Sequence, residues 1–114
     1  MSLESELQTM LTAICPRVYP DFAPANTVAP YLTWQQIGGQ SQCHLSNTAP
    51  GQRNARMQIN AWAATRAAAN ALMLQVESAM ITSGARPVGA LLATADEDLS
   101  LRGAIQDFTI WASR

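Results

Sequence analysis

The sequence predicts an α+β fold of two layers: a mostly antiparallel sheet of about four strands with two helices packed on one face. Three observations carry this. Leu3, Leu7, Met10, Leu11 and Ile14 draw one apolar stripe at helical spacing, and Ala69, Leu72, Met73, Val76 and Met80 draw a second. Between them Ala55, Met57, Ile59 and Ala61 alternate with Arg56, Gln58, Asn60 and Trp62, the period of a half-buried strand. A similar alternation closes the sequence, with Phe108 and Ile110 on one side and Ile105, Asp107, Thr109 and Trp111 on the other.

In chain order, Ser2 can cap the first helix, and Glu4 and Glu6 suit the positive end of its dipole. Cys15-Pro16 ends it, because a residue before proline avoids the α region. Four prolines between 16 and 30 then predict an extended connection, in which Val18 and Tyr19 reach the core. Tyr31 to Ile37 is aromatic and β-branched, hence a strand, and Gly38-Gly39 ends or bulges it. The polar stretch 38–52 reads as a mobile loop, with a short strand near Cys43 to Leu45 as the alternative within it. Arg53 to Ala63 is the second strand. Thr65 caps the second helix, which Ser83-Gly84 stops. Arg86 to Ala95 is a third strand, Asp96-Glu97-Asp98 a turn, and Leu101 to Trp111 a fourth strand.

At 114 residues the chain is expected to form one domain, 1–114, that buries roughly two thirds of its unfolded surface. Only 13% of residues are charged, against about 25% in average soluble domains. No lysine occurs, so all seven basic residues are arginines. Such a surface loses little on desolvation and suits a subunit with large contacts; GC-rich coding would produce the same bias. The net charge of −1 speaks against a nucleic-acid-binding surface. Cys15 and Cys43 are too few for a disulfide scaffold and read as buried thiols. Acids near the start stand where a secretion signal needs bases, and no stretch approaches the roughly 20 apolar residues of a membrane span. The expected place of synthesis is the cytoplasm.

Chemistry finds little to use. His44, the one histidine, neighbours Cys43, but adjacent residues on an extended chain point apart, so they do not form a nucleophile–base pair. Asp96-Glu97-Asp98 lacks the spaced oxygen ligands of a calcium loop. No phosphate-binding glycine motif is present. The methionines occupy core positions. The expectation is a non-enzyme with no catalytic residue, cofactor or metal. A cross-sheet pair of Arg53 or Arg56 with Asp107 is an exposed ion pair of small weight.

Read as a series, MSLESELQTMLTAI, CPRVYPDFAP, PYLTWQQIGG, RNARMQINAWAATRAAANALMLQVESAM and RGAIQDFTIWA resemble the tail-completion (tail terminator) proteins of long-tailed bacteriophages and prophages, over nearly the whole chain. The resemblance lies in the order of structural pieces and carries no diagnostic functional residue. It implies a structural protein that caps the tail tube as a homo-oligomeric ring, commonly a hexamer. Such a ring ends tube polymerisation and offers a surface for head joining. The implied partners are the chain itself, the tail tube protein and a head-completion or connector protein, with no recognition of nucleic-acid sequence and no membrane. The implied location is the host cytoplasm during assembly, then the tail or neck of the virion. A head–tail connector and a cytoplasmic module for a small ligand or host protein are the alternatives.

A ring needs two different patches on each subunit. Loop residues and strand ends supply such patches. The interface candidates are His44 in the 38–52 loop, Arg53 and Arg56 beside it, and Trp62 at the far end of the second strand. Trp34, Trp62 and Trp111 are candidate anchors, with core packing expected for at least two of them.

Overall fold

The computed structural model describes residues 2–40 and 52–113. The element order is α1 (Leu3–Ile14), β1 (Val18–Pro20), β2 (Tyr31–Gly38), β3 (Gln52–Ala63), α2 (Arg66–Thr82), β4 (Arg86–Pro87), β5 (Leu92–Asp96) and β6 (Leu101–Ser113).

Both helices start and stop where their cap chemistry dictates. Ser2 Oγ accepts the Ser5 N–H at 3.1 Å, and Thr65 Oγ1 accepts the Ala68 N–H at 3.1 Å. At the end of α2, Gly84 takes φ +99°. Its N–H bonds to Ile81 O and the next N–H, of Ala85, to Met80 O, the paired bonds of a Schellman stop. Ala85 itself is buried in the core.

Among the described residues the sheet is mixed and has six strands, in the order β1-β2-β3-β6-β4, with β5 also paired to β6. This corrects the expectation of about four, mostly antiparallel strands, while the α+β class stands. Two details produce the difference. The proline-rich connection contains β1, which runs parallel to β2 with Val18 opposite Leu32. Its short length is compensated from outside the sheet: Gln8 of α1 donates Nε2 to Val18 O at 2.9 Å. The run Arg86 to Ala95, expected as one strand, is two pieces. Pro87 and Arg86 pair with Phe108 and Thr109, and Leu92–Asp96 with Leu101–Ile105, so β4 and β5 form one interrupted edge along β6.

Two long strands dominate. β3 and β6 pair antiparallel over their full lengths, from Gln52 opposite Ser113 to Ala63 opposite Arg102. At about 3.3 Å per residue that ribbon is roughly 40 Å long. Alternation then sorts its side chains. Ala55, Met57, Ile59, Ala61, Ala104 and Phe108 face the helices and are fully buried. They join Leu7 and Leu11 of α1 and Met73, Val76 and Met80 of α2 in one cluster. The residues between them, Arg56, Gln58, Asn60, Trp62, Gly103, Ile105, Asp107 and Thr109, form the opposite, helix-free face.

β2 ends in a bulge. Its register against β3 shifts between Gln36 and Gly38. Gly39 then passes so close to β3 that an added Cβ would stand 2.3 Å from Asn54 O. No residue but glycine fits there, which is the physical content of the Gly38-Gly39 pair.

Candidate assembly surface

The helix-free face lacks the apolar cover of the other. It carries an arginine–carboxylate pair at one end and an aromatic cleft at the other. Near the β2 bulge, Arg56 Nη2 donates to Asp107 Oδ2 at 2.9 Å, and both groups reach solvent. Beside them Asn54, only 8% exposed, is fully used: Oδ1 accepts the Gln40 N–H, and Nδ2 donates to Thr109 Oγ1 and Ile110 O.

Six residues further along β3, Trp62 lies over Gly103, its register partner on β6. A Cβ at Gly103 would stand 2.7 Å from Thr94 Cγ2 and 2.8 Å from the indole ring, so glycine here makes room for tryptophan. The Asp21–Thr27 turn folds over this end of the face, which is why Tyr31 and Thr33 are buried although no helix covers them. Turn and sheet enclose a cleft of about 480 Å³ whose walls include Phe22, Tyr31, Asn60 and Trp62. Burial pushes the Tyr31 phenol up, and the Asp96 carboxylate adds to the effect. Asn60 Oδ1 is buried and has no hydrogen-bond partner among the described residues.

Arg53 is three residues from Arg56 and therefore faces the helices. Its Nη2 donates to Glu4 Oε1 at 2.5 Å and to Gln36 Oε1 at 2.6 Å, joining the start of α1 to β3 and the end of β2. The hydrogen bond from Arg53 holds the Glu4 carboxyl below its usual range, and the same bond raises Arg53. The structure thus separates the interface candidates. Arg56 and Trp62 share the open face at opposite ends, Arg53 sits on the helix side in an internal ion pair, and His44 lies outside the described residues. Of the cross-sheet pairs considered, Arg56 meets Asp107 and Arg53 does not. Glu4 is 49 positions from Arg53 and gave no signal in the sequence.

The tryptophans also depart from expectation. Trp34 alone of the three packs against the core, with Nε1 donating to Gln8 Oε1 at 2.8 Å. Trp62 stands on the open face and Trp111 is 48% exposed. Cys15 is a buried free thiol on the helix side; Cys43 lies outside the described residues. Among the described residues no three His, Cys, Asp or Glu side chains are grouped to hold a metal ion. No helix there is long and apolar enough to cross a membrane.

The sequence model of the family described as "Tail completion protein gp17" matches residues 3–113, nearly the whole chain and every strand and helix above. The chain belongs to this phage tail-completion family. A search of curated proteins finds no match. Membership of this family gives the protein a role in completing the phage tail.

Proposed function

We propose that this tail-completion protein caps the tail tube as a homo-oligomeric ring, stops tube polymerisation and presents the surface to which the head joins. It assembles in the host cytoplasm and remains in the virion neck, bound to the tube protein on one side and to a head-completion or connector protein on the other. The family match over residues 3–113 carries this reading. Three further features support it. The charged fraction of 13% keeps desolvation of a large contact small. The sheet ends in two unlike edges, β1 on one side and the interrupted β4–β5 edge on the other, which suits head-to-tail contacts. Large apolar side chains stay exposed near both: Phe22 and Val28 following β1, Val88 and Leu92 on the β4–β5 side.

The test is functional. Purified protein is added to tail tube protein during polymerisation, and tube lengths and ends are imaged. Capped ends and a length distribution cut short at the time of addition are expected. Tubes that keep growing with bare ends overturn the reading, and binding to head shells in place of tubes moves the protein to the head-completion role.

A further inference from the structure

The cleft at the Trp62 end brings together groups that suit a cation. Phe22, 81% exposed, Tyr31 and Trp62 offer aromatic rings in its wall. Asp21 contributes a carboxylate. Asn60 Oδ1 is a buried acceptor without a partner among the described residues. Aromatic faces attract cations, and a guanidinium adds a planar set of five donors able to meet a carboxylate.

The chain has no lysine, so its cationic side chains are His44 and seven arginines; His44 and Arg114 lie outside the described residues, which leaves six arginines. Four are engaged within the subunit: Arg53 with Glu4, Arg56 with Asp107, Arg66 with the carbonyls of Gly103 and Thr94, and Arg17 with Pro30 O. Arg86 is exposed and forms no salt bridge among the described residues. Arg102, also exposed, follows the acidic turn at the cleft's own end and falls on the helix side of β6 by alternation.

Arg86 is placed to meet a cleft on another molecule and not its own. It pairs with Thr109, which lies opposite Arg56, whereas the cleft lies at the Trp62–Gly103 row. Six residues along β3 are about 20 Å. Across the sheet, β4 and β1 are the two outer strands, separated by four spacings of about 4.8 Å. The cleft, which reaches from the Asp21–Thr27 turn across β2 and β3 to Leu101 of β6, thus lies at the opposite end of the sheet from Arg86.

Resting on the ring reading above, we propose that Arg86 of one copy enters the Phe22–Tyr31–Trp62 cleft of the next, its guanidinium lying on the aromatic wall and donating to the Asp21 carboxylate. The two patches are different and lie apart on the subunit, so the contact can repeat head to tail around an axis, as a ring requires.

Charge reversal tests this. The wild type, Arg86→Glu and Asp21→Arg are compared by light scattering over a concentration series, and by co-sedimentation with tail tubes, with circular dichroism confirming the fold of each. Asp21→Asn serves as the mild variant, since Asp21 has φ +65° and asparagine tolerates that backbone. Each reversal is expected to raise the concentration needed for assembly by about tenfold or more, because it sets like charges together. Mixed in equal amounts, the two reversed proteins restore opposite charges at every junction and regain the assembled mass. Reversed variants that assemble like the wild type overturn this contact and leave the ring standing, as does a mixture of two folded variants that stays dissociated. A wild type that is monomeric both in solution and with tubes overturns the ring itself.

Discussion

The two faces of the β3–β6 ribbon are built from alternate residues of the same two strands, yet they obey different rules. On the helix side, Ala55, Met57, Ile59, Ala61, Ala104 and Phe108 are all fully buried against α1 and α2. On the other side, Arg56 and Asp107 pair in solvent, Trp62 lies over Gly103, and Asn60 leaves an acceptor unused. One side is filled to the packing density that fixes a fold; the other keeps groups that a second surface can satisfy. Substitutions on the first should unfold the protein, and substitutions on the second should leave it folded and change what it meets.

The sharpest way to break that contrast is Phe108→Ala, which empties the middle of the helix side and should lower stability by about 3–5 kcal/mol, read from urea unfolding. A Phe108→Ala protein as stable as wild type would remove the distinction. Next comes Gly39→Ala, the one open-edge change with a backbone obstacle. Asn54 O blocks the new Cβ, so a loss of about 1–3 kcal/mol is expected. Gly103→Ala should cost less in the same assay, since only the Thr94 and Trp62 side chains must give way.

A smaller effect follows from Arg53 and Glu4. The folded carboxyl lies below its ordinary 4.5 because Arg53 donates to it. A depressed carboxyl contributes stability above its unfolded value, and the contribution fades as pH falls through the folded one. With Glu4 partly in solvent it amounts to no more than about 1 kcal/mol. Glu4→Gln should therefore narrow the stability gap to wild type between pH 7 and pH values below 4.5, measured by thermal melts across that range. Least of all, Arg56→Ala should change stability by about 0.5 kcal/mol or less, since its pair with Asp107 is exposed. A larger loss in the purified monomer would make the open face part of the core after all.

What the sequence disclosed follows the same division. Caps and stripes located α1 and α2 to within a residue, because helix signals are local: Ser2, Thr65 and Gly84 act on backbone groups a few positions away. The inward sides of β3 and β6 were legible from alternation alone. β1 was not, since three residues ending in proline carry no period, and their strand character comes from Leu32 and from Gln8 across space. The break between β4 and β5 was hidden in an evenly apolar run. Of the candidate contacts, the Arg56–Asp107 pair was readable as a cross-strand possibility. The cleft was not, because the Asp21–Thr27 turn meets Trp62 only after folding.

The placement of β6 sets a condition on biosynthesis. This strand is made last among the described elements, yet it lies inside the sheet, with β3 along one side and β4 and β5 along the other. Until residues 101–113 leave the ribosome, β3 has one bare edge and α2 has half of its floor. The helices can form early from local contacts, but the sheet must wait for its most distant partner, whose pairing spans some fifty residues of chain. A nascent chain therefore holds an unfinished edge until β6 arrives and locks the ribbon. The surfaces of the sheet take their folded form only once translation has passed that point.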